Sequence, residues 1–513
     1  MVSFRGLAAP DWALDGVRRG DIASFCLFAY NIESPAQLRD LALSLHRAAA
    51  EGGHPPPLVG IDQEGGQLMA VTGGATELPG NMALGAAGRT DLAERAGRLL
   101  GTELLAMGCT MDFAPVLDLA LRPENPVIGM RAFGDDPARV GQLGAALIRG
   151  IQSTGVVATA KHFPGHGDTV VDSHHASPQI HRTREQLDGI ELAPFRAAID
   201  AGVGAVMTAH ATFPEIDDLP ATLSERILGG LLRREMGFGG LIVTDAMDMS
   251  AVGRLSPERR VEAALAAGND LVLLGHLEGQ PEMLAALHPR FAASSLDRID
   301  RARRALPATF PALDAVGSRE HRELAQEIAD AAVTVVRSDR LPLRPNPDDV
   351  IAVVTVQAGD LTPADTSSGV RIRLAEQIAA RHPRTRPLDL AYGGSRTEVA
   401  ATVAAVGDAA TVVVGTVDAA NDPAQVALLQ QLRQAGIEPI VVALRTPFDL
   451  TVAPWLRTYL CAYGIREPNT ESAVRVMFGE IEAHGRLPCR MPASDEHRPA
   501  DERATPAPAK GRS

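Results

Sequence analysis

Cysteine is scarce in this sequence. The 513 residues include four cysteines, Cys26, Cys109, Cys461 and Cys489, which are widely separated and form no CxxC pair. We therefore expect neither a disulfide framework nor a cysteine-based zinc site. Scattered single thiols are typical of proteins that work in a reducing compartment.

Positive charge is in deficit as well. Lys and Arg together number 49 against 63 Asp and Glu, which gives a formal net charge of −14. Such a chain lacks the basic surface of a general nucleic-acid binder or of a protein that binds anionic membranes. No run of about 18 apolar residues occurs, and the N-terminal segment shows no basic stretch followed by an apolar one. We therefore predict a cytoplasmic protein without a nucleic-acid or membrane partner.

Length and periodicity indicate two α/β domains and a tail. Residues 1–305 alternate short apolar runs with amphipathic stretches, as parallel strands joined by helices do. The apolar runs are 24–30, 58–61, 109–116, 156–160, 205–210, 241–245 and 270–274. Residues 315–492 repeat the alternation and predict a second α/β domain. Residues 493–513 are rich in Pro, Ala and charge, which predicts a disordered tail.

Polar residues follow several of the apolar runs in the first domain. They are Asp62, Asp118, Lys161 with His162, His210 and Asp245. In a closed parallel barrel the active site is built at the carboxyl ends of the strands. The pattern therefore favours a TIM-like (β/α)8 barrel, with these side chains on its catalytic face, over an unspecified α/β fold.

One segment concentrates titratable groups. Residues 161–175 read KHFPGHGDTVVDSHH, and five of the fourteen histidines fall between residues 162 and 181. Asp172 stands two residues before His174, so that its carboxylate could orient the imidazole for general acid/base chemistry. A metal site is the competing interpretation, since His and Asp bind zinc, although no HExxH spacing is present. The third interpretation is a solvated loop in which the histidines occur by chance.

Three further groups are candidates on weaker local grounds. Asp245, after the run at 241–245, is either a nucleophile or the N-cap of a helix. Asp62 and Glu64, in the string GIDQEGG, could bind hydroxyl groups. Arg131, in a loop bounded by glycines, offers a planar set of donors to a ligand and is otherwise a surface arginine.

Taken together, these strings resemble glycoside hydrolase family 3, in particular its bacterial β-N-acetylglucosaminidase branch. The resemblance covers roughly residues 20–280, and the string KHFPGHG followed by DSH is its most specific part. The second domain, at 315–492, resembles the α/β sandwich domain of the family more weakly, mainly through HGRLPCRMP at 484–492. The other matching strings are GIDQEGG (60–66), DFAPVLDL (112–119), NPVIGMRAFGDDP (125–137), MTAHATFP (207–214), PATLS (220–224) and GGLIVTDAMDM (239–249).

The resemblance implies a (β/α)8 barrel and a retaining double displacement. Asp245 matches the family nucleophile, His174 the general acid/base and Asp172 its partner. Residues matching those that hold the non-reducing sugar are Asp62, Arg131, Lys161 and His162. His210, which lies in a matched string, is expected to bind substrate as well. Where the family commonly has two arginines after QEGG, this sequence has Gln67 and Ala70, which puts the sugar preference in doubt more than the chemistry.

The expected activity is hydrolysis of terminal β-linked GlcNAc from muropeptides, as in peptidoglycan recycling, from chitin oligomers or from aryl glycosides. No cofactor and no metal are expected. A phosphorylase is an alternative, because an imidazole acid/base does not repel an incoming phosphate dianion. Two further alternatives are a metal-dependent barrel hydrolase and a carbohydrate-binding relic that has lost catalytic activity.

Overall fold

The computed structural model describes residues 1–170, 178–253, 255–286 and 292–492. Two α/β domains follow one another along the chain, each built on a mainly parallel six-stranded sheet. Within these ranges, no helix is both long and apolar enough to cross a membrane.

The first domain alternates strands and helices as the periodicity predicts. Its strands are β1 (Ser24–Cys26), β2 (Leu58–Ile61), β3 (Gln63–Gly65), β4 (Leu68–Met69), β5 (Met111–Asp112), β6 (Val157–Phe163), β7 (Ala205–Thr208), β8 (Thr212–Phe213), β9 (Asp217–Pro220) and β10 (Leu241–Thr244). Its helices are α1 (Asp11–Arg19), α2 (Pro35–Glu51), α3 (Asn81–Ala87), α4 (Thr90–Ala106), α5 (Pro137–Gln152), α6 (Arg184–Gly189), α7 (Leu192–Asp200), a π-helix (Arg226–Glu235), α8 (Pro257–Ala267), α9 (Gln280–Ala286) and α10 (Ala293–Arg304).

The large sheet of this domain is parallel and curled, with strand order β1-β2-β5-β6-β7-β10. Backbone bridges extend it beyond both edge strands, since Val2 pairs with β1 and Leu271 pairs with β10. The two extensions bond to each other through Met1, which donates to Val272 and accepts from Leu274. The apolar run at 270–274 therefore lies next to β10, but it forms an isolated bridge there and not a regular strand.

The strands are buried on both faces because helices pack around them. Every residue of β1, β2, β7 and β10 is buried, as expected of parallel strands covered by helices. Helices α4 and α5 approach closely through two glycines. A Cβ at Gly97 would lie 2.2 Å from the carbonyl oxygen of Leu147, and one at Gly150 would lie 2.1 Å from that of Glu94. A larger residue at either position would force the two helices apart.

The second domain is also α/β. Its strands are β11 (Thr334–Ser338), β12 (Ile351–Gln357), β13 (Thr385–Ala391), β14 (Thr411–Thr416), β15 (Ile440–Ala443) and β16 (Thr458–Cys461), and its helices are α11 (Arg319–Ala332), α12 (Leu374–Ala379), α13 (Arg396–Val406), α14 (Pro423–Gln434) and α15 (Glu467–Phe478). The sheet order is β11-β16-β15-β14-β12-β13, with β11 antiparallel to β16 and the other pairs parallel. The chain reverses direction across the sheet between β12 and β14, and open α/β sheets bind ligands at such a point.

The carboxyl edge of the second sheet faces the β3/β4 hairpin of the first domain. Thr366, after β12, donates from its N–H and its hydroxyl to the backbone carbonyl of Gln67, and Arg445, after β15, donates to the side-chain oxygen of Gln67. Arg466, after β16, donates to the carbonyl of Gly66 over 2.6 Å. One hydrophobic core cluster joins the two domains, with Val116, Val127 and Met130 packed among second-domain residues. The second domain is therefore bound to the segments that follow β2 and β5 of the first sheet.

Candidate active site

Side chains from the carboxyl ends of the first sheet meet in one cavity of about 520 Å³. Five of the predicted site residues line this cavity: Asp62, Arg131, Lys161, His162 and Asp245. They come together because parallel strands end at the same edge of the sheet.

The floor of the cavity is a set of buried ion pairs. Lys161, in β6, contacts Asp62 over 2.6 Å and Glu64 over 2.8 Å. Arg131 binds the Glu64 carboxylate with two parallel hydrogen bonds, from Nε over 2.9 Å and from Nη2 over 2.8 Å. The side chains of Lys161, Arg131 and Glu64 are at most 4% exposed. The residue pattern singled out Glu64 together with Asp62, whereas the set implied by the family resemblance omits Glu64.

The ion pairs keep the buried side chains of this floor charged. Burial by itself raises the pKa of Glu64, but Arg131 and Lys161 outweigh it and lower the pKa to about 2. Burial likewise disfavours the charged form of Lys161, and the carboxylates of Asp62 and Glu64 outweigh it and raise the pKa above its usual value. A ligand therefore meets charged donors and acceptors in fixed positions at neutral pH.

His162 is held by Asp118, a residue at the end of another apolar run. The Nδ1 of His162 donates to Oδ2 of Asp118 over 2.7 Å, and the backbone N–H of His162 donates to the same oxygen over 3.2 Å. The backbone N–H of His166 donates to the other oxygen of this carboxylate, Oδ1 of Asp118, over 2.6 Å. Burial raises the pKa of Asp118, but His162 and His166 outweigh it and lower the pKa below its usual range. The ionised carboxylate thus orients the ring, with Nε2 of His162 lying 3.9 Å from Oδ2 of Asp245.

Asp245 follows β10 directly and faces the cavity. Its Oδ1 accepts a hydrogen bond from the backbone N–H of Ala246 over 2.7 Å, and its side chain is 20% exposed. The N-cap interpretation does not hold, because the next α-helix begins at Pro257 with Ser256 as its cap. An accessible carboxylate at the wall of a polar cavity is placed to act as a nucleophile.

His210 does not contribute to the described wall of the cavity, in contrast to its predicted contact with substrate. It is buried, with Nδ1 2.8 Å from Oγ1 of Thr222 and Nε2 2.9 Å from the carbonyl of Ala246. The ring therefore supports the backbone beside Asp245 from behind. A sequence position at the end of a strand does not show whether the side chain lines the cavity or lies behind the residues that do.

The predicted acid/base pair, Asp172 and His174, lies outside the described residues. The segment that leads to it is held by ion pairs: Asp168 contacts Arg122 over 2.6 Å and Arg182 over 2.8 Å. Earlier in the same segment, the carbonyl of His166 accepts from Asn125 over 3.0 Å. Within the described part of the chain, no group of three or more His, Cys, Asp or Glu side chains is arranged to hold a metal ion.

The second domain supplies one wall of the cavity. Residues Asp360, Pro363, Ala364, Asp365 and Thr366, from the loop after β12, line it together with Ala70. Gln67 is not among the residues that line the cavity, and it ties this loop to the first domain, because its Nε2 donates to the carbonyl of Ala364 over 2.9 Å. Sequence analysis did not find this wall, since its contacts join residues about 300 positions apart.

Comparisons with known proteins agree on one family. The model of the glycosyl hydrolase family 3 N-terminal domain matches residues 12–289, and that of the family 3 C-terminal domain matches residues 333–511. Beta-hexosaminidase A of Pseudoalteromonas piscicida is 30% identical, over 92% of this chain and 90% of its own. Beta-hexosaminidase of Pseudomonas aeruginosa PAO1 is 38% identical, over 56% of this chain and 85% of its own.

A solved structure is similar over both domains. It is that of a glycoside hydrolase family 3 beta-N-acetylglucosaminidase from Paenibacillus sp. strain FPU-7, with a TM-score of 0.89 and 36% identity. The similarity covers 96% of this chain and 97% of that one.

Proposed function

This chain belongs to glycoside hydrolase family 3 and is a glycoside hydrolase, and from that premise we propose that it is a retaining exo-β-N-acetylglucosaminidase. The observation that carries the proposal is the accessible carboxylate of Asp245 beside His162, above a closed floor of ion-paired Lys161 and Arg131. The names of its relatives, β-hexosaminidase and β-N-acetylglucosaminidase, support GlcNAc as the sugar.

The floor accounts for exo action. Lys161, Arg131 and the carboxylate of Asp62 present charged donors and acceptors to the hydroxyl groups of one terminal sugar. Because the paired side chains close the inner end of the cavity, the chain cannot continue past that sugar. The scissile bond then faces the opening, next to Asp245.

The reaction proceeds in two displacements. The carboxylate of Asp245 forms a bond to C1 of the sugar as the bond from C1 to the leaving oxygen breaks, and His174 gives its proton to that oxygen. His174, oriented by Asp172, then takes a proton from water, whose oxygen bonds to C1 as the bond to Asp245 breaks. Two inversions at C1 leave the configuration retained. The roles of His174 and Asp172 rest on the sequence resemblance.

Water is favoured over phosphate as the second acceptor. The strongly basic side chains that line the described cavity, Lys161 and Arg131, are each bonded to carboxylates. A phosphate dianion that approaches C1 of the glycosyl-enzyme would therefore meet no unpaired lysine or arginine on the described lining to offset the cost of losing its hydration. Addition of phosphate is expected to yield no GlcNAc-1-phosphate.

The architecture and location complete the proposal. We place a (β/α)8 barrel at residues 1–305, a sandwich domain at 315–492 and a tail at 493–513. The bonds of Met1 with the 272–274 segment support closure of the curled sheet. The four cysteines are buried and unpaired, which supports a reducing, cytoplasmic setting.

Release of nitrophenol from 4-nitrophenyl β-GlcNAc tests the function. We expect wild-type protein to hydrolyse it and Asp245→Ala to lose at least 10³-fold in kcat, as expected of a lost nucleophile. Asp300→Asn, which changes an exposed carboxylate on α10, is the matched control and keeps wild-type activity. Equal rates for wild type and Asp245→Ala, or faster cleavage of the β-glucoside than of the β-GlcNAc substrate, would overturn the proposal.

A further inference from the structure

The opening of the cavity is the place where the leaving group must lie, and this inference rests on the proposed function. The paired floor side chains are at most 4% exposed, whereas His276 and Asp360 on the cavity lining are exposed. A terminal sugar bound to the floor therefore directs its glycosidic oxygen, and the group attached to it, toward His276 and Asp360.

The strong cations of the cavity are already neutralised. Lys161 and Arg131 are the only Lys and Arg side chains among the described lining residues, and Asp62 and Glu64 bind them. The two positive charges of Lys161 and Arg131 therefore cancel the two negative charges of Asp62 and Glu64. They leave no surplus positive charge to attract an anionic leaving group.

Carboxylates of the lining remain in surplus toward the opening. Asp360, from the second domain, accepts from the N–H and the hydroxyl of Ser368 over 2.7 and 2.8 Å, so its charge is oriented, and no Lys or Arg of the described residues pairs with it. Asp248, from the first domain, has one buried oxygen, Oδ1, without a hydrogen-bond partner in the described structure. Asp365 is different, because Arg445 pairs with it.

Arg5 lies close to the lining without being part of it. The guanidinium of Arg5 lies over the ring of Tyr30, 5.2 Å from its centroid, and Arg5 is not part of the described lining. The ring of Tyr30, stacked on Phe28 at 5.5 Å, separates it from the cavity. The lining on the leaving-group side is therefore acidic on both the first-domain and the second-domain wall.

We propose that Asp248 and Asp360 select the leaving group by charge, so that the enzyme prefers neutral or cationic aglycones and disfavours those that carry a carboxylate. Chito-oligosaccharides, including partly deacetylated ones, belong to the favoured class. A muramic acid aglycone, with its lactyl carboxylate, belongs to the disfavoured class. The second domain thereby takes part in substrate selection.

The test compares two aryl substrates that differ in one charge, 4-nitrophenyl and 3-carboxy-4-nitrophenyl β-GlcNAc. The measured quantity is the ratio of kcat/KM for the anionic substrate to that for the neutral one, which cancels effects common to both. A unit charge within about 8 Å of a partly solvated carboxylate changes such a ratio by about two- to fivefold. We expect Asp360→Asn and Asp248→Asn each to raise the ratio by that amount, and 0.5 M NaCl to raise it in wild type.

The matched control is Asp408→Asn. Its side chain is 89% exposed, on the same domain as Asp360 and outside the cavity lining, so the ratio should stay at the wild-type value. Unchanged ratios in both cavity variants, or a natural preference for GlcNAc-MurNAc over chitobiose, would overturn the inference while leaving the proposed function intact. If the neutral substrate is not cleaved at all, the proposed function itself fails.

Discussion

Replacing Arg445 with methionine tests how the second domain is held against the catalytic cavity. Arg445 donates to Asp365 over 3.1 Å and also bonds to the side-chain oxygen of Gln67. The side chains of Arg445 and Asp365 are 7% and 0% exposed. The substitution therefore leaves a carboxylate charge in the interior without its cation.

The magnitude follows from the contacts that remain. Removal of one member of a buried ion pair costs about 3–5 kcal/mol. Asp365 keeps hydrogen bonds from the backbone N–H groups of Leu361, over 3.2 Å, and Ser367, over 2.8 Å. We therefore expect the free energy of unfolding to fall by about 3 kcal/mol, near the lower end of that range. Adding Asp365→Asn to Arg445→Met should restore part of it, because the orphaned charge is then absent.

Urea unfolding followed by fluorescence measures this loss. The chain has two tryptophans, so a Trp12→Phe background leaves Trp455, in the second domain, as the reporter. The control is Arg384→Met, whose partner Asp348 is 3.5 Å away and 98% exposed, and which should lose less than about 1 kcal/mol. Equal losses for Arg445→Met and Arg384→Met, or no recovery in the double variant, would refute the reasoning.

Three other perturbations have definite expected outcomes. Arg131→Lys cannot reproduce the two parallel bonds to Glu64, and we expect kcat/KM on 4-nitrophenyl β-GlcNAc to fall by at least tenfold; an unchanged value would contradict a role for the guanidinium. Burial raises the pKa of Asp449 to about 7 in the folded protein. The unfolded chain releases this proton near pH 4, so the free energy of unfolding falls as pH rises from about 4 to 7. Asp449→Asn should therefore stabilise by about 4 kcal/mol at pH 8 and much less at pH 5, and urea midpoints that shift equally at both values would contradict this. Because the proposed chemistry uses protein side chains alone, dialysis against EDTA should leave kcat unchanged, and a loss restored by zinc would favour a metal-dependent hydrolase.

Much of the first domain follows from local sequence signals. The amphipathic stretch from Thr90 forms α4, although Arg89 is its N-cap and makes no side-chain bond there, and the stretch at 257–267 forms α8, which the side chain of Ser256 caps. The amphipathic stretch at 185–201 is divided into α6 and α7, since Ile190 adopts a non-helical backbone at the end of α6. Neighbouring residues encode such elements, so one sequence is enough to find them.

The cavity was predictable only in part. Asp62, Lys161, His162 and Asp245 stand at the ends of strands, and the common edge of a parallel sheet brings them together. The wall formed by Asp360 to Thr366 depends on how two domains pack, and no local pattern encodes that. The placement of His210 behind Asp245 likewise depends on side-chain direction and not on sequence position.

Identification of the covalently modified residue tests the central claim most directly. Wild-type protein is incubated with a slowly hydrolysed 5-fluoro analogue of a GlcNAc glycosyl fluoride, and the intact mass and the peptides are measured. The account predicts an added mass of one sugar on the peptide that contains Asp245, and none in Asp245→Ala. A protein that hydrolyses 4-nitrophenyl β-GlcNAc but carries the sugar on another residue would contradict it.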